Sequence, residues 1–267
     1  MEVICDSLLA GAQAARGLAV IIDVFRAFTC TPLLFSLGIE KSILVSSPEE
    51  AFALKKDDNN LILIGEVGGV PIKGFDMGNS PSEILAKETS FFDGKSTVQR
   101  TSSGVQGAIA ALDVADEVLV ASYTVAKATA RYILSRRPER VSVVATGWEL
   151  KERAPEDEWC ALYISHLLGS GNYDHNEALR TIIFHRVTQR FLRAEVPYFP
   201  AEDPILCLQR DIHDFALRAV RDRNLVVVRK VQTERLLPPT TLEYSSKSSD
   251  TKRPLTVHRT RGEKGNE

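Results

Sequence analysis

Leu18-Ala19-Val20-Ile21-Ile22-Asp23 is an apolar run that stops on a carboxylate, and Val24-Phe25-Arg26-Ala27 carries the chain from it into a helix-like stretch. A run this short, with no apolar/polar alternation, reads as a strand buried on both faces, as in sheets covered by helices on each side. The unit recurs. Val-, Ile- and Leu-rich runs predict further strands at Ser42–Val45, Leu61–Gly65, Thr97–Thr101, Glu117–Ala121, Val141–Ala145 and Leu225–Val231. Helical stretches fall between them, so the chain reads as α/β: three layers, α/β/α, around a mainly parallel or mixed sheet.

Two helix starts are explicit. Ser47-Pro48-Glu49-Glu50 and Ser80-Pro81-Ser82-Glu83 each offer a serine cap, proline in the first helical position and a glutamate able to reach back. Further helices are expected over Ala27–Leu37, Val105–Leu112, Val125–Arg136, Pro155–Leu168, Asn176–Arg193 and Ile212–Asp222, the last stopped by Asn224. Beyond Leu237 the chain turns to Pro238-Pro239 and a Ser-, Thr- and Lys-rich stretch with little apolar surface to offset ordering. The expected division is an α/β domain over 1–237 and a flexible tail over 238–267.

Of the 267 residues, 44% are hydrophobic and 25% charged, which excludes a largely disordered, collagenous or fibrous chain. Lys plus Arg number 33 against 35 for Asp plus Glu, so the basic excess of a nucleic-acid binder is missing and any anion site must be local. The cysteines, Cys5, Cys30, Cys160 and Cys207, form no C-x-x-C pair, as expected of a reduced cytosol. Leu18–Ile22 is too short for a signal core or a membrane span. A cytoplasmic protein with no membrane partner is expected; a homodimer is one assembly open to it.

Polar residues gather where predicted strands end: Asp23, Glu66, Thr101-Ser102-Ser103-Gly104, Ser122 and Thr146-Gly147. In open parallel sheets ligands bind outside the carboxyl ends of the strands. Helix N-termini there attract phosphate or sulfonate, while paired carboxylates repel such an anion unless a divalent cation lies between. Carboxylates beside an anion cradle imply Mg²⁺. Taken singly, Asp23 is equally explained as a turn or helix cap, and Ser103-Gly104 as a helix start. The loop from Gly65 to Pro81 holds five of the 16 glycines and adds Lys73, Asp76 and Asn79; its plain alternative is a compact connector whose Asp and Asn make turns.

Several common sites fail on spacing. Phe25 stands where a haloacid-dehalogenase-type phosphatase needs its second aspartate, and Ser36 where a cysteine phosphatase starting at Cys30 needs arginine. No Walker A, nucleotide-binding glycine fingerprint, G-x-S-x-G or H-E-x-x-H motif occurs. His166, His175, His185, His213 and His258 read as surface or packing residues.

Ile22-Asp23-Val24-Phe25-Arg26-Ala27 resembles the I-D-V-x-R-A element of the 2-phosphosulfolactate phosphatase family, and Gly65-Glu66 through Pro81 resembles its long G-E-x-G-G…G-F-D-x-G-N-S-P signature. Arg100 through Gly107 sits where many members carry T-T-x-N-G-T, with Ser103 replacing asparagine and Val105 replacing threonine. Glu156-Asp157 with Cys160-Ala161 is similar to the family's E-D-x-x-C-A helix start, and the resemblance continues to about Val231. It implies a Mg²⁺-dependent phosphatase of a small anionic phosphoester, with 2-phosphosulfolactate or a related 2-phospho acid as substrate. The expected parts are Asp23, Glu66 and Asp76 on the metal; Asp23, Arg26 and Asp157 in catalysis; Thr101, Ser102, Ser103 and the Gly104 amide around phosphate; and Arg100, Asn79 and Lys73 on the substrate. Water is the expected nucleophile, with Asp23 as phosphoryl acceptor second. A protein that binds an anionic metabolite without reaction is the rival reading.

Overall fold

The structure, a computed structural model, describes residues 1–232. The tail expected over 238–267 lies outside the described residues. The chain runs β1 (Glu2–Ser7), α1 (Leu8–Ala14), β2 (Leu18–Ile22), α2 (Ala27–Ser36), β3 (Lys41–Leu44), α3 (Pro48–Asp57), β4 (Leu61–Val67), β5 (Val70–Pro71), α4 (Pro81–Leu85), β6 (Ser96–Arg100), α5 (Gly104–Ala111), β7 (Glu117–Ala121), α6 (Ala126–Arg136), β8 (Arg140–Ala145), α7 (Pro155–Leu167), α8 (His175–Ile183), α9 (Arg186–Leu192), α10 (Asp203–Cys207), β9 (Phe215–Asp222) and β10 (Leu225–Gln232).

The ten strands make one mixed sheet in the order β1-β8-β2-β7-β9-β10-β3-β6-β4-β5. The first four are mutually parallel, as are β3, β6 and β4. Between the two groups lies the β9–β10 hairpin, antiparallel to both flanks. Three successive reversals set the groups in opposite senses along the ladder. Neighbouring strands rotate by roughly 20–25°, so six steps from β2 to β4 accumulate on the order of 120–150°. That rotation swings the carboxyl ends of both groups toward one crevice.

The core follows the same division. One sheet face carries Ile21, Val120, Leu217, Val228, Leu44 and Ile64 against α2 and α5 in a single cluster spanning both groups. The other face splits, with α6 and α7 covering Val20, Leu119 and Val143, and α3 covering Ile43, Leu63 and Val98. This is the three-layer α/β/α arrangement expected. Ser47 and Ser80 cap α3 and α4 as read, each accepting from the third residue on, Glu50 N–H and Glu83 N–H, at 3.3 Å. The two glutamates reach further back than a capping box requires, to Ser46 N–H and Gly78 N–H.

The helix expected over Ile212–Asp222 is instead strand β9. Phe215-Ala216-Leu217-Arg218 has helix-forming residues, but pairing with β7 and β10 decides its state. Arg223-Asn224 forms the two-residue turn, with Arg223 at φ 55°. The single helix expected over Asn176–Arg193 breaks at Phe184-His185 into α8 and α9. Strands β1 and β5 and helices α1 and α10 carried no clear sequence signal. Among the described residues no helix is long and apolar enough to cross a membrane.

Leu217 is fully buried in β9, on the face shared by both strand groups. Leu217→Ala is expected to lose about 2–5 kcal/mol in urea unfolding, through one cooperative transition. Two separated transitions would show that the halves of the sheet unfold independently.

Candidate active site

Helix α5 starts between two acidic side chains. Asp23 follows β2 and accepts from Gly104 N–H at 2.8 Å and Ala27 N–H at 3.0 Å, one on each carboxylate oxygen. Glu66, in β4, accepts from Ser102 N–H at 2.6 Å, and its other oxygen takes the Gly69 N–H. Both are buried and line one cavity that opens to solvent. Of the strand ends expected to converge, Asp23, Glu66, Ser102, Ser103 and Gly147 line this cavity, whereas Ser122 does not and bonds Thr124 instead. Gly104 has no room for a side chain, since a Cβ there would stand 2.7 Å from the Asp23 carboxylate.

Asp157 and Glu156, in the first turn of α7, line the same cavity. Asp157 ties two strand ends together, accepting from Val24 N–H at 2.7 Å and Gly147 N–H at 2.8 Å. Thr146 Oγ1 lies 2.8 Å from the Ile22 carbonyl and 3.3 Å from Asp157 Oδ2. With one hydrogen to donate, it serves one of them at a time, and a proton on Asp157 can supply the other contact. Glu156 Oε2 is buried with no partner, and so is Oδ1 of Asn79, a further buried wall residue.

Arg26 is held more tightly than its sequence suggests. Its Nη1 donates to Asp203 Oδ2 at 2.8 Å and to the Tyr198 carbonyl at 2.9 Å, and the guanidinium lies over the rings of Phe191 and Phe199. Both hydrogen bonds leave from Nη1, so the rest of the fork remains for the cavity that Arg26 lines. Asp203 Oδ1 in turn accepts from the Ser80 hydroxyl, the Ser82 hydroxyl and Ser82 N–H.

Other expected parts are placed differently. Asp76 stands outside the cavity wall, where its carboxylate accepts from Leu63 N–H and pairs with Lys55, fixing the glycine-rich loop. Lys73 is exposed and does not line the cavity. Arg100 buttresses Glu66, donating to its carbonyl at 2.7 Å. The cradle is largely engaged: Thr101 Oγ1 accepts from Val105 N–H, and the Ser102 and Gly104 amides hold carboxylates. Ser102 and Ser103 line the cavity, and the Ser103 hydroxyl makes no capping bond. Sequence reading missed Asp203, which resembles any helix-start aspartate. It also took His185 for a surface or packing residue, whereas the break between α8 and α9 sets it in the wall with a buried Nδ1 that lacks a partner.

Burial dominates the electrostatics. It raises the Asp23 carboxyl to about 6; amide bonds from Gly104 and Ala27 oppose it, and the Glu66 charge adds to it. Burial, then the Asp23 charge, lifts Glu156 to about 7. Asp157 goes well above the usual carboxylate range through burial and the charges of Asp23 and Glu156. Among the described residues no three His, Cys, Asp or Glu side chains form a group able to hold a metal ion unaided. Two buried oxygen acceptors lacking donors, beside a crowded set of acids, nevertheless suit a hard cation that keeps water in its shell.

An open α/β sheet with acids, hydroxyls and an arginine at its converging strand ends is the setting of a phosphoric monoester hydrolase, and comparison with known proteins agrees. The chain belongs to the 2-phosphosulpholactate phosphatase family, whose model matches residues 6–195. A protein of Bacillus subtilis (strain 168) named a probable 2-phosphosulfolactate phosphatase is 31% identical over 221 residues, 82% of this chain and 93% of its own length. Proteins of the same name are 29% identical in Deinococcus radiodurans, over 63% of this chain and 69% of theirs, and 35% identical in Thermus thermophilus, over 49% and 53%.

A carboxyl whose folded pKa is raised contributes its full stability below the unfolded value, and that stability is lost as pH rises through the folded one. For Glu156 the window runs from its ordinary 4.5 to about 7. In EDTA, the Tm of Glu156→Gln minus that of the unaltered chain is expected to be small at pH 5, grow toward pH 7 and level off by pH 8. A difference that stays flat across this range would show that Glu156 carries no such strain.

Proposed function

We propose that the chain hydrolyses a small 2-phospho acid, 2-phosphosulfolactate or a close analogue, to the 2-hydroxy acid and phosphate, with Mg²⁺ as cofactor. The observation that carries this is the meeting of Asp23 and Glu66, from distant stretches, in one cavity with Arg26. The names of the relatives point to the same ester.

Mg²⁺, when bound, supplies the positive charge that lets phosphate approach the carboxylates. Two unit charges ~4 Å apart repel by about 4 kcal/mol at an effective dielectric near 20, so without it acids and substrate would not share the cavity. Asp23 is fixed by two amides, and each oxygen keeps a lone pair for the cavity. It orients the attacking water toward phosphorus. The Arg26 donors not engaged by Asp203 and Tyr198 bind phosphate oxygens, and the Ser102 and Ser103 hydroxyls complete their surroundings. Asp157, kept protonated by burial and neighbouring charge, is the acid available to the leaving alkoxide.

Phosphate release from 2-phosphosulfolactate and a panel of small phosphoesters, each with Mg²⁺ and with EDTA, tests the reading. Metal-dependent release from a 2-phospho acid is expected. Asp23→Asn should lower kcat at least ~100-fold, about 2.7 kcal/mol of barrier, with the fold retained. Release from no ester under any condition would favour an anion-binding protein instead. Arg26→Lys is expected to lose most activity, because the point-like ammonium lacks the planar fork that spans Asp203 and a phosphate; unaltered kcat and KM would leave Arg26 with a packing role alone.

A further inference from the structure

Two oxygens in the cavity wall stand out when every acceptor is matched to its donor. Asp23, Glu66 and Asp157 each receive at least one backbone N–H on both carboxylate oxygens. Glu156 Oε2 and Asn79 Oδ1 receive nothing, although both residues are only 4% exposed and line the same cavity. An unsatisfied buried acceptor is costly, more so if charged, so native structures keep few of them without a reason.

No side-chain donor reaches either oxygen. Arg26 turns Nη1 to Asp203 and Tyr198 and bonds neither oxygen with the rest of its fork, and the rim arginines Arg153 and Arg186 pair with Glu158 and Glu152. Water can donate to both oxygens but, once Glu156 is ionised, leaves its charge uncompensated beside Asp23 and Asp157. A divalent cation answers both needs, because a hard ion takes a carboxylate oxygen and an amide carbonyl oxygen together and fills its remaining positions with water. The two residues also sit on separate supports, Asn79 in the loop before α4 and Glu156 in the first turn of α7. Neither position depends on the other.

We infer that Glu156 and Asn79 are direct ligands of the divalent cation, giving it one carboxylate and one amide oxygen. Glu66 and Asp157, fixed by an amide on each oxygen, line the same cavity. The inference rests on the Mg²⁺ phosphatase reading above, and it replaces Asp76, which lies outside the cavity, as a metal ligand.

Mn²⁺, an oxygen-seeking ion visible by EPR, is the probe. Titration of the metal-free chain should give one bound ion. Glu156→Gln and Asn79→Ala should each weaken binding at least 10-fold, while Asp76→Asn binds as the unaltered chain does. Glu156→Gln should also melt higher than the unaltered chain in EDTA at pH 8, since an uncompensated buried charge has been removed. Higher apo stability together with lower metal affinity is a pairing that general disruption of the fold does not produce. Unchanged Mn²⁺ affinity in both variants, or no bound Mn²⁺ in the unaltered chain, overturns the assignment. Phosphate release that persists in EDTA, with no bound Mn²⁺, would sink the assignment while leaving the phosphatase reading intact. Metal binding lost in Glu156→Gln, in a chain that hydrolyses no ester, would support the site and sink the catalytic reading.

Discussion

The Ser102 and Gly104 amides that lead into α5 are held by carboxylates from two different parts of the sheet, and the site is organised around that contact. Asp23 belongs to the group containing β2, and Glu66 to the group containing β4, six strands away. The Gly104 and Ser102 amides draw both to one helix end, where orphan N–H groups and the helix dipole favour negative charge. Only glycine fits at 104, because the approach is too close for a Cβ. Cap and ligand are therefore not competing descriptions of Asp23: an oxygen that accepts one amide still has a lone pair facing the cavity.

Buried carboxylates occur here in two conditions. Asp203 is fully buried but meets Arg26, two hydroxyls and an amide, so its charge is balanced and its lone pairs are used. Such a group fastens parts together, in this case the start of α4 to the segment after β2. Glu156 has burial without balance, and its carboxyl is pushed toward neutrality as a result. Preorganised sites commonly retain local instability of this kind for ligand binding to relieve. Arg26 draws on both conditions, since Asp203 fixes its direction and leaves part of its fork unused.

Much of the framework was legible because it is local. The run ending in Asp23, the Ser-Pro starts at Ser47 and Ser80, and the acids at strand ends all declare themselves within a few residues. β9 did not, because Phe215–Asp222 is a strand only by virtue of the edges of β7 and β10 on either side. Asp76 and Asp23 are the same residue type in equally suggestive surroundings, and only the path of the loop turns Asp76 toward Leu63 and Lys55. The open oxygen of Glu156 was equally hidden, being defined by donors that fail to arrive from elsewhere. Asp203 lay beyond reach for a related reason, since its partners Arg26, Ser80 and Ser82 are more than a hundred positions upstream.

The hairpin in the middle of the sheet sets a timetable for assembly. β9 and β10 leave the ribosome after every other strand, yet they must enter between β7 and β3, which are made long before. Until residues 215–232 emerge, both of those strands present unpaired edges, and the nascent protein is two half-sheets with an exposed seam. A chain that stops short of β9 would lack the wedge between the half-sheets that carry Asp23 and Glu66. Premature termination near residue 210 should therefore yield a sticky, inactive fragment, even though every acid in the cavity has already been synthesised.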